Sequence, residues 1–276
     1  MKRIKVKYYF IIYKTRIGVT NMPEEVQDKE INYLLDTVNR LQYDKDRFKV
    51  IIGEEKYLFG IVSGVNSPSA PLSKLMQYKT LYDTLRDLDY KIKISFTKAI
   101  EYAYSDRLQE NFTLFQESSI EETYSYYFIE NALFRTSSLW DMLAQFYRLY
   151  YNIEIEAHNV FYKKIFNPKL YYCDSFKEQA KEIDNYLNQS NDTECQEKWK
   201  GNHRYSNDCR NKMTHRNSPN VASMSDFDVN FKQHPAYMLK RIIEDYSMAS
   251  NYLEKILNEI EKEVMEEFEK ICSEDE

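Results

Sequence analysis

An arginine and a histidine stand five positions apart in the stretch Arg-Asn-Lys-Met-Thr-His, which begins at Arg210 and ends at His215. A guanidinium is charged at every physiological pH and its fork matches phosphate oxygens, whereas an imidazole exchanges protons near neutrality. RNA carries its own nucleophile, the 2′-hydroxyl, so a proton acceptor and a positive charge suffice for phosphodiester cleavage without a metal ion. The pair therefore indicates chemistry on RNA, with Arg210 and His215 as the candidate catalytic residues.

The charge around this pair is opposite to that of the whole chain. The protein carries a net charge of −6, which argues against nucleic-acid binding over its entire surface. Residues 198–216, called the basic segment below, hold a single carboxylate, Asp208, against six cations: Lys198, Lys200, Arg204, Arg210, Lys212 and Arg216. We expect a local RNA contact in which Arg204, Asn211, Lys212 and Arg216 position the phosphate backbone.

Composition predicts a mainly α protein. The 276 residues include only 5 glycines and 6 prolines, which favours long helices over a many-turned β architecture. No segment has the 18 or more apolar residues that cross a bilayer, so we expect a cytoplasmic protein without membrane association. We interpret the 25 tyrosines and 15 phenylalanines as core and surface residues rather than as platforms for base stacking.

A zinc site is a poor alternative explanation of the same region. Cys195, His203, Cys209 and His215 lack the closely paired ligands of structural zinc sites. Cys209 is an equally poor candidate for a nucleophile, because only its basic neighbours would activate it. We therefore expect no metal and no cofactor, and reduced cysteines.

Periodicity and turn residues divide the chain into a small N-terminal α/β segment and a larger helical domain. Strands are predicted at 5–13 and 48–62, a first helix at 23–42 and a linker at 64–71. We place the accessory segment at 1–70 and the helical domain at 71–276. Further helices are predicted at 72–108, 119–151, 158–166, 175–188, 193–215 and 235–271. The last carries an apolar stripe of three- and four-residue steps from Leu239 to Ile271, which is typical of a helix in a bundle or an oligomer seam.

The spacing Arg-Asn-Lys-x-x-His resembles the Arg-x4-6-His signature of the HEPN superfamily of helical ribonuclease and nucleotide-binding domains. Residues 129–145, which include the run Arg135-Thr-Ser-Ser-Leu-Trp-Asp141, are similar to the long upstream helix of bacterial HEPN families. The resemblance covers residues 119–273 and implies an antiparallel helical bundle. By analogy it also implies an RNA-cleaving toxin or phage-defence effector, with an antitoxin or regulatory protein as a possible partner.

Ideal helical geometry separates the two candidate catalytic side chains. Residues five apart are rotated by about 140° around a helix, so Arg210 and His215 of one straight helix do not face one another. Either the helix unwinds near His215, as Pro219 allows, or a second copy of the chain completes the site. The resemblance favours the second explanation, since HEPN ribonucleases are typically homodimers with a composite cleft.

A narrow polar stripe on the predicted helix 119–151 suggests supporting residues. Glu130, Ser137, Asp141 and Gln145 fall within about 80° of one another on a helical wheel. Polar groups on an otherwise apolar helix need partners, so we hypothesise that Glu130 or Asp141 orients Arg210 or His215. The alternative is that Asp141 and Arg135 form ordinary structural ion pairs.

Three functions remain open from the sequence alone. The first is a metal-independent endoribonuclease that uses 2′-hydroxyl attack. The second is a non-catalytic module that binds RNA or nucleotides through the same cleft. The third is a helical oligomerisation protein in which the basic segment has no role.

Overall fold

A computed structural model describes residues 24–48, 50–52, 55–57, 71–114, 117–191, 199–215, 218–225 and 228–274. Within these ranges the α-helices are α1 Glu24–Asn39, α2 Pro71–Ala103, α3 Asp106–Asn111, α4 Ile120–Tyr150, α5 Tyr162–Ile165, α6 Lys177–Leu187, α7 Asn202–His215 and α8 Pro235–Glu274. Two 3₁₀ helices occupy Ala157–Asn159 and Tyr171–Phe176. The strands pair antiparallel in three hairpins: β1 Val50–Ile52 with β2 Glu55–Tyr57, β3 Ser190–Asn191 with β4 Trp199–Lys200, and β5 Ser223–Ser225 with β6 Asp228–Asn230.

The predicted mainly α class is confirmed, and the longest predicted helices lie where expected. Helix α4 matches the predicted range 119–151 almost residue for residue, and α8 begins with Pro235, a residue favoured in a first helical turn. The hairpin of β1 and β2 confirms six residues of the predicted strand 48–62. The other predicted strand, 5–13, and residues 64–70 of the predicted linker 64–71 lie outside the described residues. Pro71, the last residue of that predicted linker, begins α2.

Three predicted helices have clearly different bounds. The predicted helix 158–166 is replaced by the 3₁₀ helix Ala157–Asn159 and the short α5 Tyr162–Ile165. The predicted helix 72–108 divides into α2 and α3, because Ser105 adopts an extended conformation with φ −66° and ψ 142° before α3 begins. The predicted helix 193–215 begins only at Asn202, since β3 and β4 pair just before it. Gly201 lies at this junction: its N–H donates to the Gln189 carbonyl at 2.8 Å. A β-carbon at position 201 would be 2.6 Å from the same oxygen, so the close approach requires glycine.

The fold divides into two compact units. Unit 1 comprises the described residues of Met1–Arg40, Lys91–Ser137 and Leu187–Ser247. Its core includes the edge-to-face pair of Phe96 and Tyr246, whose ring centroids are 5.3 Å apart, and the fully buried Leu239 and Ile242. Each large apolar side chain buried in this way contributes about 1.5–3 kcal/mol. Unit 1 contains α7 and therefore every described residue of the candidate catalytic motif.

Unit 2 comprises the described residues of Leu41–Tyr90, Ser138–Tyr186 and Met248–Glu276. The buried Trp140 ring lies 5.7 Å from the ring of Tyr186 and 6.2 Å from that of Tyr252. In the same unit Arg47 forms ion pairs with Glu254 at 3.3 Å and Glu261 at 2.9 Å. The predicted division into residues 1–70 and 71–276 stays a prediction.

The apolar stripe of α8 packs within the chain. The exposure of its side chains is 1% or less at Leu239, Ile242, Tyr246, Ala249, Leu253, Ile256 and Ile260. Of the two roles that the sequence left open for this stripe, bundle packing is the one that the structure shows over 239–260. None of the helices formed by the described residues combines the length and the apolar character that crossing a membrane requires.

Candidate functional site

Helix α7 presents two faces of different character. By helical geometry Arg210 lies within about 20° of His203, seven residues earlier, and this face is turned inwards. His203 is 5% exposed and Arg210 is partly buried. Arg204 and Asn211 share another face and are exposed. The backbone position of His215 falls on this second face, within about 20° of Arg204.

The N-terminal half of α7 is fixed to α8 by buried polar contacts. His203 Nδ1 lies 3.2 Å from the Asp245 carboxylate, and both residues are buried. Asn202 donates its side-chain N–H to Glu244 at 2.7 Å and accepts a hydrogen bond from Arg241 Nε. Paired polar groups in a dry environment fix a helix in one register, because losing any one partner leaves another unsatisfied.

Arg241 is the centre of this anchoring network. Its guanidinium is buried and lies 4.7 Å from the centroid of the Tyr205 ring, in a cation–π arrangement. A second nitrogen of the same group donates to the Tyr237 hydroxyl at 3.1 Å. Tyr205 in turn donates its hydroxyl to the side chain of Gln233. The first turn of α7 is thus connected both to α8 and to the segment that precedes α8.

Arg210 is held by a serine of α4. Its Nη1 donates to Ser137 Oγ at 2.7 Å, and its Nη2 lies 3.4 Å from Asn211 Oδ1. Both acceptors are neutral, and within the described residues no carboxylate pairs with this guanidinium. The group is therefore oriented while its full positive charge stays available to an anion.

The predicted RNA-positioning residues lie partly on the exposed side of α7. Arg204, Asn211 and Lys212 are exposed, as an electrostatic contact with a phosphate backbone requires. Arg216, the fourth predicted residue, lies outside the described residues.

The helix continues without interruption to His215. The backbone is α-helical from Asn202 to His215, and the Thr214 hydroxyl donates to the Arg210 carbonyl at 2.5 Å within the last turn. Arg210 and His215 therefore lie on one regular helix, about 140° apart. Their backbone positions therefore lie on different sides of α7.

The structure gives Glu130 and Asp141 hydrogen-bond partners outside the motif. Glu130 accepts a hydrogen bond from the Asn220 side chain, and its burial raises the pKa of its carboxyl group. Asp141, in unit 2, accepts the backbone N–H of Tyr162 at 3.3 Å. The residue of the predicted polar stripe that contacts Arg210 is Ser137, and Arg135 donates to Asn131.

The segment after α7 is packed at several described positions. Lys232 forms a buried ion pair with Glu122 at 2.8 Å. The Gln233 carbonyl accepts from the Tyr126 hydroxyl at 2.7 Å. The ring of His234 lies 4.7 Å from that of Phe112, and its Nδ1 accepts the backbone N–H of Ala236 at 3.2 Å. Burial lowers the pKa of His234 to about 4, so its ring is neutral at physiological pH.

No group of three or more histidine, cysteine or acidic side chains that could hold a metal ion occurs among the described residues. Cys195, one member of the disfavoured zinc set, lies outside them. Cys209 is buried, and desolvation raises the pKa of its thiol. A thiol of raised pKa is a weak nucleophile at neutral pH.

Three residues that matter for the geometry were absent from the sequence-based site. Ser137 appeared only as a member of the polar stripe, although its hydroxyl holds Arg210. Asp245 and Arg241 lie on α8 and were not singled out in the sequence, although both are charged residues next to members of the apolar stripe. The sequence did contain a usable signal. A charged residue beside the buried face of a helix requires a polar partner, and such a partner had to come from a neighbouring helix.

Comparison with known proteins adds one match. Residues 77–272 match the family model described as Cthe2314-like HEPN. The match begins in α2, well before residue 119, and extends through α7 and most of α8. The search of curated proteins returned no match, and neither did the search of solved structures.

Proposed function

Because this chain belongs to the HEPN family, we propose that it is a metal-independent endoribonuclease that cleaves RNA by attack of the 2′-hydroxyl on the neighbouring phosphate. His215 acts as general base or acid, and Arg210 stabilises the charge that develops on the phosphate. The observation that carries the proposal is the contact of Arg210 with Ser137 at 2.7 Å.

This contact favours anion binding because of the charge that it leaves available. A guanidinium paired with a carboxylate is already neutralised, and a phosphate would have to displace that partner. A neutral hydroxyl fixes the direction of the group without cancelling its charge. A group that is oriented beforehand needs little reorganisation when the transition state forms, which is the condition for effective electrostatic catalysis.

A second copy of the chain supplies the other half of the cleft in this proposal. Helix α7 is regular up to His215, so Arg210 of one chain requires a histidine from elsewhere. A homodimer with a composite cleft places Arg210 of one protomer opposite His215 of its partner. Glu130 and Asp141 then act as supporting residues, through the elements that they hold in place.

The exposed residues around the motif position the substrate. Arg204, Lys212 and Arg216 contact phosphates, and Asn211 supplies a side-chain amide for a further polar contact. Their contribution is electrostatic, so RNA affinity falls as the salt concentration rises. The chain acts as a toxin or a phage-defence effector in this proposal, restrained by an antitoxin or another regulatory partner.

The cleavage test uses purified protein, end-labelled RNA and EDTA. We expect products with 2′,3′-cyclic phosphate ends from the unmodified chain, and rates at least about 100-fold lower for Arg210→Ala and His215→Ala. Arg107→Ala and His158→Ala are matched controls, since their side chains are 82% and 75% exposed and lie outside the motif. Loss of cleavage in EDTA, or cleavage unchanged in both motif variants, contradicts the proposal.

Mixing the two inactive variants tests the composite cleft directly. A heterodimer of Arg210→Ala and His215→Ala chains retains one cleft with an arginine from one protomer and a histidine from its partner. We expect partial recovery of cleavage in the mixture after subunit exchange. A mixture that stays inactive while the chains exchange shows that each site belongs to a single chain.

A second candidate function is binding of RNA or nucleotides without cleavage. It is favoured by the separation of Arg210 and His215 on α7, since a lone cation suffices for binding but not for proton transfer. It predicts salt-sensitive RNA binding with no product. A helical oligomerisation protein, the third candidate, has less support because the stripe of α8 is already buried over 239–260.

A further inference from the structure

Helix α4 exposes a row of large side chains next to the residue that holds Arg210. Ile120, Tyr124, Tyr127 and Phe134 are 72%, 48%, 57% and 40% exposed, and they recur at three-, four- and seven-residue steps along one face. Phe134 is the last of them and precedes Ser137 by three residues. Positions three apart on a helix are surface neighbours, with β-carbons about 5–6 Å apart.

On the helical wheel, the positions on the two sides of Phe134 each carry or hold a cation. On a helical wheel Ser137 lies about 60° to one side of Phe134, and Ser137 carries the guanidinium of Arg210. Arg135 lies about 100° to the other side. Its Nη1 donates to the Asn131 carbonyl at 3.0 Å and to Asn131 Oδ1 at 2.9 Å, which directs the guanidinium back along the helix by one turn.

Neither cation is neutralised by a carboxylate within the part of the chain that the structure describes. The acceptors of Arg135 and Arg210 are the neutral oxygens of Asn131, Ser137 and Asn211. The nearest acid on α4 is Glu130, one turn before Phe134 on the Ser137 side. Its carboxyl is partly buried, where burial raises its pKa, and it accepts a hydrogen bond from the Asn220 side chain.

We propose that Phe134 is a base-stacking subsite for single-stranded RNA, with Arg135 and Arg210 contacting the phosphates on either side of the stacked nucleotide. An exposed aromatic ring flanked by two uncompensated guanidiniums matches the two chemistries of a nucleotide, a flat base and an anionic backbone. The inference rests on the proposed RNA-directed function and assigns a base contact next to its phosphate contact.

The subsite also departs from the sequence-based interpretation of the aromatic residues. Composition alone did not single out any of the fifteen phenylalanines as a base-stacking residue. The structure singles out Phe134, because its ring is partly exposed and it lies one turn from Ser137, which holds Arg210. The N-terminal end of the row has a different charge environment, since Arg107 beside it is paired with Glu121 at 3.1 Å.

The test measures binding of a short RNA with 2′-O-methyl groups, which cannot undergo 2′-hydroxyl attack. We expect Phe134→Leu to weaken binding about tenfold and Phe134→Trp to preserve it, since leucine keeps the apolar volume without an aromatic face. Tyr171→Leu is the matched control, because Tyr171 is 80% exposed and lies in unit 2. Equal affinities for the unmodified chain and Phe134→Leu overturn the subsite.

Abasic nucleotides identify the stacked base. One abasic position is expected to weaken binding to the unmodified chain about tenfold and to have no further effect on Phe134→Leu. Additive losses at every position mean that the base does not contact Phe134, and they overturn the proposal. The probe is not cleaved, so these results are independent of whether the protein is a nuclease.

A second copy of the chain is the competing occupant of the exposed row. If α4 is a protein interface, Tyr127→Ala and Phe134→Leu lower the molar mass measured by light scattering and leave binding of the 2′-O-methyl RNA unchanged. That result overturns the RNA subsite. Loss of RNA binding in Phe134→Leu at an unchanged molar mass supports it.

Discussion

The two halves of α7 are held in different ways. The first, Asn202 to Ser206, is attached to α8 by His203 with Asp245, by Asn202 with Glu244, and by Arg241. The second, Arg210 to His215, has a single described tertiary hydrogen bond, from Arg210 to Ser137. We call them the anchored half and the motif half.

The difference separates stability from function within one helix. Buried polar pairs fix one register, since a buried group that loses a hydrogen bond does not regain it from water. Exposed cations contribute little to stability, but they keep their charge for a ligand. The comparison leads us to expect that substitutions in the anchored half unfold the protein, whereas substitutions in the motif half change what it does.

The largest effect is expected from Asp245→Ala. It removes the buried contact between His203 Nδ1 and the Asp245 carboxylate, and the loss of a buried charged partner of this kind costs about 3 kcal/mol of unfolding free energy. Chemical denaturation monitored by circular dichroism measures the change. Asp245→Asn is the matched control, because the amide keeps an oxygen near His203, and a loss of about 1 kcal/mol is expected. Equal stability of all three proteins would remove the distinction between the two halves.

A second prediction concerns the segment that follows the motif half. The pKa of His234 is lowered to about 4, from an ordinary value of 6.5. The unfolded chain therefore binds a proton at higher pH than the folded protein does. The stability contributed by neutral His234 is present above pH 6.5 and is lost as the pH falls towards 4.

The expected loss from this histidine is about 2 kcal/mol between pH 7 and pH 5. It is measured as the difference in the pH dependence of unfolding free energy between the unmodified chain and His234→Asn. Asparagine retains an acceptor for the Ala236 N–H but does not titrate. His158→Asn is the control, since that histidine is exposed. If the unfolding free energy of the unmodified chain and of His234→Asn depends on pH in the same way, protonation of His234 does not destabilise the fold, and the prediction is wrong.

The fold was largely predictable because its signals are local. The period of α8, Pro235 at its start and the scarcity of glycine and proline each reflect the preferences of a few neighbouring residues. The start of α7 was predicted too early for a tertiary reason. Gly201 approaches the Gln189 carbonyl at the end of the β3–β4 hairpin, and this contact does not show in the helical pattern of 193–215.

Only those parts of the candidate site that depend on residue type and spacing could be predicted from the sequence. Arg210 and His215 could be named because their chemistry is inherent in their side chains. The partner of Arg210 could not, because Glu130, Ser137 and Asp141 all lie on the same stripe of α4 and charge alone favours the acids. In the structure the partner of Arg210 is the neutral Ser137. The turn of α4 that contacts α7 is determined by tertiary packing, which the sequence pattern does not contain.

A smaller effect is expected from Ser137, which joins the motif half to α4. Ser137→Ala removes the hydroxyl that orients Arg210, and we expect a cleavage rate about tenfold lower with unfolding free energy changed by less than about 1 kcal/mol. Ser137→Thr keeps the hydroxyl and is expected to retain activity. Ser137→Asp places a carboxylate beside Arg210, and a stronger loss than in Ser137→Ala would show that the charge of Arg210 must stay uncompensated.

The smallest effect is expected from Lys212, an exposed cation of the motif half. If it contacts one phosphate, Lys212→Ala lowers the slope of log affinity against log salt by about 0.7 for single-stranded RNA. The affinity falls a few-fold at low salt, and the difference vanishes as salt rises.

Lys98→Ala is the control, because Lys98 is an exposed lysine of α2 paired with Glu101 at 2.6 Å. Since removal of a phosphate contact changes the slope and not only the affinity, the slope distinguishes a direct contact of Lys212 from a change in net charge. An unchanged slope would mean that Lys212 does not contact a phosphate, and that the RNA contact of the motif half is made by Arg210 and its immediate neighbours.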